Sequence, residues 1–138
     1  MKQEDKELLL KDLCARLPYE VKVQYEDNIF TIDYISAMYE EIKLNSPNRY
    51  TIDVLEVKPY LFPLSSMSRE QKEELENLGW YFDNFEIHNV SECLGTYREY
   101  VAHSDCFVLI DWFNKNHFDY RGLIPMGLAI DATGLNIY

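Results

Sequence analysis

From Asp105 to Asn116 the chain places Cys106, Phe107, Val108, Leu109, Ile110, Trp112 and Phe113 in nearly every direction of a helical wheel. Only a narrow stripe around Asp111 and Lys115 is polar, and these two have the i, i+4 spacing of an ion pair. Ser104 can cap a helix that starts at Asp105, whose carboxylate suits the positive first turn. A helix that is apolar on almost all sides must be covered on almost all sides. This segment is therefore expected to be a buried central helix with the rest of the chain organised around it.

A chain of 138 residues has the size of one domain. Its eleven Tyr, seven Phe and two Trp supply rings that each bury roughly 150–250 Å², enough for a few of them to anchor a core. Glu4 to Leu17 has the period of a helix, with Leu9, Leu10, Leu13 and Leu17 on one side, Lys6, Glu7 and Lys11 mostly in solvent, and Pro18 as the stop. Short strands follow. Val21, Val23 and Tyr25 alternate with polar residues, Glu26-Asp27-Asn28 reads as a turn, and Ile29 to Ile35 carries Phe30, Ile32 and Tyr34 on one face. Glu40 to Leu44 and Tyr50 to Val57 are further strands, separated by Ser46-Pro47-Asn48. Pro59 and Pro63 bracket an extended, stiff Tyr60-Leu61-Phe62.

Ser68 and Gln71 have capping-box spacing at the start of a helix from Arg69 to Leu78, stopped by Gly79. Only Leu75 and Leu78 offer it apolar contact, so its acidic side belongs in water. Trp80 to Ile87 and Tyr97 to Val101 read as strands around a loop at Asn89 to Gly95. His117 to Tyr138 packs through Leu123, Ile124, Leu128 and Ile130, as strand or as short helix. The expectation is an α+β single domain over residues 1–138. A short N-terminal helix and a strand-rich unit over about 18–64, drawn as a meander or an SH3-like barrel, precede a helix-containing part over about 65–138.

Charge narrows the classes of function. Residues 1–50 hold seven bases and ten acids, residues 51–138 six and fourteen, for a net charge of −11. Phosphate backbones are bound by clustered Lys and Arg, and no such cluster occurs, so direct nucleic-acid binding is disfavoured; the field would attract a basic protein partner, and the simpler account is that the acidity serves solubility. Cys14, Cys93 and Cys106 are odd in number and widely spaced, which suits reduced thiols in a cytoplasm better than a disulfide scaffold. The longest apolar run, Cys106 to Ile110, is too short for a membrane helix, and acids near the start of the chain do not suit a secretory leader.

Several residue sets could carry chemistry. His88, Cys93, His103 and Cys106 are zinc-ligand types, but only the last two have ligand-like spacing and Cys106 falls on the helix expected to be buried; no metal or cofactor is expected. Each cysteine could meet a histidine in space, yet no nucleophile elbow supports catalysis by one. The third set is His117, Asp119 and Arg121, which share one side if the chain after the central helix stays extended. A carboxylate there could orient His117 for acid–base work. The simpler account is helix termination with a local Asp119–Arg121 pair. A fourth candidate is the acidic row Glu70, Glu73, Glu74 and Glu76, either a solvated face or a surface for a basic partner.

Two strings, Lys58-Pro59-Tyr60-Leu61-Phe62-Pro63-Leu64-Ser65-Ser66-Met67 and Asn116-His117-Phe118-Asp119-Tyr120-Arg121-Gly122-Leu123-Ile124, resemble segments of short uncharacterised proteins from gut anaerobic bacteria and their phages or other mobile elements. They cover a small part of the chain. The resemblance brings no established activity and transfers no catalytic residue; it implies a bacterial cytoplasmic or phage-encoded accessory protein. The expectation for function is a non-enzymatic interaction protein with an acidic surface, in a narrower form an inhibitor of a nucleic-acid-binding partner. The alternative is a small enzyme centred on His117 and Asp119.

Overall fold

The structure is a computed structural model that describes residues 2–47, 51–78 and 103–138. The first helix, α1 (Lys2–Arg16), buries Leu9 and Leu13 and leaves Glu7 and Lys11 in solvent, as its periodicity implies. Pro18 lies within a 3-10 turn (Leu17–Tyr19), after which Glu20, left-handed at φ 56°, releases the chain into the sheet.

β1 (Lys22–Tyr25) and β2 (Asn28–Ser36) pair through the expected turn. Glu26 and Asp27 both have positive φ, 48° and 63°, the type I′ geometry whose twist matches the strands it joins. β3 (Glu41–Leu44) and β4 (Thr51–Asp53) continue the antiparallel meander, and the register slips between Ile32 and Tyr34, a bulge that bends β2. β5 (Lys58–Pro63), the segment stiffened by two prolines, returns antiparallel beside β1. In the order β4-β3-β2-β1-β5 the meander continues, with β5 returning beside β1.

One expectation in this region is corrected and one open alternative is resolved. The strand expected over Tyr50 to Val57 ends at Asp53, because Asp53 Oδ1 accepts from the Leu55 N–H at 2.9 Å while Glu56 Oε2 accepts from the Asp53 N–H at 3.1 Å. This capping box winds Val54–Glu56 into a 3-10 turn instead. The undecided C-terminal part contributes strands: β6 (Phe118–Asp119) and β7 (Ile130–Asp131) both run parallel to β5. Phe62 N–H donates to His117 O and Ala132 N–H to Leu61 O, each at 2.8 Å. The sheet is thus shared between the two parts of the chain.

α2 (Arg69–Asn77) begins as its sequence implies. Ser68 Oγ accepts from Gln71 N–H at 3.1 Å and Gln71 Oε1 accepts from Ser68 N–H at 2.9 Å. Leu75 is buried, but Leu78 is 43% exposed, so one leucine rather than two anchors the helix. α3 (His103–Lys115) is the expected central helix, starting two residues early so that Ser104 falls inside its first turn rather than before it. Its Leu109, Trp112 and Phe113 are buried, whereas Phe107 is 67% and Val108 42% exposed. The expectation of cover on nearly all sides is therefore wrong for these two. A wheel shows which side chains gain from burial, not which ones a neighbour reaches. The elements expected over Trp80 to Ile87, Asn89 to Gly95 and Tyr97 to Val101, and the stop at Gly79, lie outside the described residues. Among the described residues no helix is long and apolar enough to cross a membrane.

Buried side chains gather in two clusters. One joins α1 to the meander through Leu9, Leu13, Val23, Ile42, Val54 and Leu61. The other joins α2 and α3 to β6 through Leu75, Leu109, Trp112, Phe113, Phe118 and Tyr120. Trp112 and Phe118 stack at 5.6 Å and Phe113 and Tyr120 at 5.7 Å between ring centroids, offset contacts worth roughly 0.5–1.5 kcal/mol each beyond area.

Candidate functional site

The polar residues after α3 meet others from α1 at the seam between the two apolar clusters. Asp12 and Arg16 lie one helical turn apart and are both fully buried, with Arg16 Nε 2.7 Å from Asp12 Oδ2. Arg16 Nη2 donates to Phe118 O at 2.6 Å, and its guanidinium stands 5.0 Å from the Tyr120 ring centre. Arg121 approaches from the other end of the chain, Nε 3.3 Å from Asp12 Oδ1 and its guanidinium 5.1 Å from the same ring. Tyr120 donates its hydroxyl hydrogen to Asn114 Oδ1 at 2.7 Å. One carboxylate is thus shared by two arginines over an aromatic floor, and burial strengthens each of these attractions.

His117 ends α3 in a left-handed conformation, φ 64°. That turn breaks the extended run on which a shared side for His117, Asp119 and Arg121 depended. The structure sends the three apart. Asp119 is buried, and its two oxygens accept from the backbone N–H groups of Leu123 and Ile124, each at 2.9 Å, fixing the turn that leads to Gly127. Arg121 goes to Asp12 rather than to Asp119. His117 stacks on Tyr138, ring centres 3.6 Å apart and planes within 10°. Burial first, then the charges of Arg16 and Lys22, lower its pKa from 6.5 to about 4. Tyr138 is held by Lys22 N–H at 2.9 Å and donates to Tyr60 O at 2.8 Å; although the residue is 42% exposed, desolvation pushes its phenol up to about 12.

Chemically, this arrangement fastens. His117 is neutral at pH 7, and its Nδ1 is buried without a hydrogen-bond partner among the described residues. The carboxylate expected to orient it is committed to the backbone of the following turn. An acid–base pair needs hydrogen-bond reach between its members, and His117 and Asp119 do not show it.

The remaining candidates separate just as plainly. Glu70, Glu73, Glu74 and Glu76 are all exposed on α2, with Glu73 3.4 Å from the exposed Arg69. Cys14 is exposed, and the shielding it has raises its thiol pKa, the direction opposite to an activated nucleophile. His88 and Cys93 lie outside the described residues, as do the side chains of His103 and Cys106 in the first turn of α3. Among the described residues no group of His, Cys, Asp and Glu could hold a metal ion.

Sequence reading passed over Asp12 and Arg16. Their i, i+4 spacing is common on solvated helices, and the carbonyl that Arg16 meets belongs to Phe118, 102 residues away. No local signal marks such a contact. No protein-family model, curated protein or solved structure matches the chain, so its function is argued from its own charge and surfaces.

Proposed function

We propose that this chain is a non-enzymatic interaction protein that binds a basic partner through its acidic exterior, in a cytoplasmic setting and in the manner of a phage or mobile-element accessory protein. The observation that carries the reading is α2. Nine residues form a helix fixed by a capping box and a single buried leucine, and four glutamates project from it into solvent. A charge of −11 on the whole chain adds a long-range field that draws cations toward this ridge. A basic nucleic-acid-binding protein, held off its own ligand by such a surface, is the narrower form of the same idea.

The test is binding of a fluorescent nona-arginine peptide at low and high salt. Replacing Glu70, Glu73, Glu74 and Glu76 by Gln is expected to weaken binding about tenfold, while neutralising Glu4, Glu7, Asp33 and Asp111, also exposed, changes it by about twofold or less. Equal losses from the two sets would mean that the ridge has no special role. The enzyme reading centred on His117 and Asp119 has weaker support, because both residues already serve the fold.

A further inference from the structure

A cleft of about 360 Å³ opens between the β1–β2 turn and the segment that joins β3 to β4. Its walls are apolar and partly aromatic: Tyr25, Phe30, Leu44 and Ile52. Tyr25 and Phe30 stand 6.5 Å apart between ring centres with planes tilted by 55°, so the cleft is walled by rings rather than lined by aliphatic groups alone. Glu26 and Asn28 form one lip and Pro47 stands on the other. Leu44 is buried and belongs to the first apolar cluster, which fixes the floor, and Phe30 and Ile52 pack against that cluster from the side. The apolar walls are therefore built on strands, while Glu26 and Pro47 come from the connecting turns.

Acidic groups predominate around it. Glu26 lines the cleft and is exposed, with Asp27 beside it and Glu56 near enough to act on Tyr25. Desolvation first, then the charges of Glu26 and Glu56 and a hydrogen bond to the Glu26 side chain, raise the Tyr25 phenol above its ordinary value. The Lys43 ammonium close by donates to Leu44 O at 2.7 Å and to Ser46 O at 3.5 Å, neutral carbonyls that hold it in place and leave its charge to offset part of the acidic field. Ring faces and a carboxylate around one opening suit a cation with an apolar stem. A guanidinium suits it better than an ammonium, because it can lie flat on a ring while its edge meets a carboxylate.

We propose that this cleft binds an arginine side chain from a basic segment of the partner protein, with the guanidinium against Tyr25 and Phe30 and paired with Glu26. The proposal deepens the reading of a basic partner and rests on it. It gives the broad acidic field a single anchoring pocket: α2 attracts, and the cleft selects. The volume lies at the lower end of the range for small-ligand pockets, roughly 300–1,000 Å³, which accommodates one side chain and its neighbouring backbone.

The experiment is amide-resolved NMR titration of the full chain with three probes: N-acetylarginine amide, its neutral isostere N-acetylcitrulline amide, and hexaproline. The arginine probe is expected to shift the amides of Glu26, Asn28, Phe30 and Ile52, with the citrulline probe at least about fivefold weaker and hexaproline without effect there. Glu26→Gln, an exposed change in a turn, is expected to weaken the arginine probe about threefold to fivefold, and Phe30→Leu, which keeps an apolar packing group, by a similar factor. Equal binding of arginine and citrulline probes would overturn the proposal, as would shifts centred elsewhere or a preference for hexaproline. If nona-arginine binds through α2 while the arginine probe leaves the cleft untouched, the cleft fails and the acidic-surface reading stands. If the arginine probe fills the cleft while the α2 variant binds nona-arginine normally, the reading of α2 fails instead.

Discussion

His117 is half-buried against Tyr138 and near Arg16 and Lys22, and burial first, then these two charges, favour its neutral form. An unfolded chain takes up the imidazole proton near pH 6.5, and the folded chain resists it down to about 4. Between those values the unfolded state binds more protons, so stability is complete above the upper value and declines as pH falls toward the lower one. His117 is only half-buried, so solvent screens part of the effect and the loss across that window is about 2 kcal/mol. His117→Asn, which tolerates positive φ, is expected to remove this step, as read from urea midpoints across the same range. Equal pH slopes for variant and wild type would contradict the placement of His117. The histidine itself was singled out by its place at the end of a helix. Its partner was misjudged, because Asp119 lies two residues away in an apparent strand and only the left-handed turn at His117 parts them.

At the scale of elements, local hydrogen bonding decided what could be read in advance. The α2 start at Ser68 and Gln71 and the Glu26-Asp27 turn were legible because their partners lie within three residues. Asp53 and Glu56 have the same capping spacing, and it was overlooked within a run of apolar residues that resembled a strand. Asp53→Ala is expected to cost about 1 kcal/mol by freeing the cap of the 3-10 turn, whereas Asp53→Asn keeps an acceptor for Leu55 N–H and loses little beyond the ion pair to Lys6, 2.7 Å away. Urea midpoints of the two variants check this, and an Asn variant as weak as the Ala variant would contradict the capping role. The exposure of Phe107 and Val108, and the pairing of β6 and β7 with β5, were illegible for the opposite reason. They depend on partners far along the chain, where composition and period carry no signal.

At the scale of the molecule, the two apolar clusters are joined by polar side chains. Leu13 belongs to one cluster and Phe118 and Tyr120 to the other, and Arg16 spans the gap between them. A buried ion pair adds little stability against apolar residues of the same size, but breaking one by removing a single partner strands the other charge. The seam therefore fixes which face of α1 meets β6, although Arg16 Nη1 and Arg121 Nε are buried there without a hydrogen-bond partner among the described residues. What remains free to act on other molecules is the acidic outside. The account stands or falls on that structural role, and the stability of Arg16→Met against wild type, from urea unfolding, tests it most directly. The expected loss is about 3 kcal/mol, because Asp12 keeps Arg121 as a partner, and it is partly recovered in the triple variant Asp12→Leu/Arg16→Met/Arg121→Met, which strands no charge. An Arg16→Met single variant within about 0.5 kcal/mol of wild type would contradict it and return the seam to the list of surfaces available for chemistry.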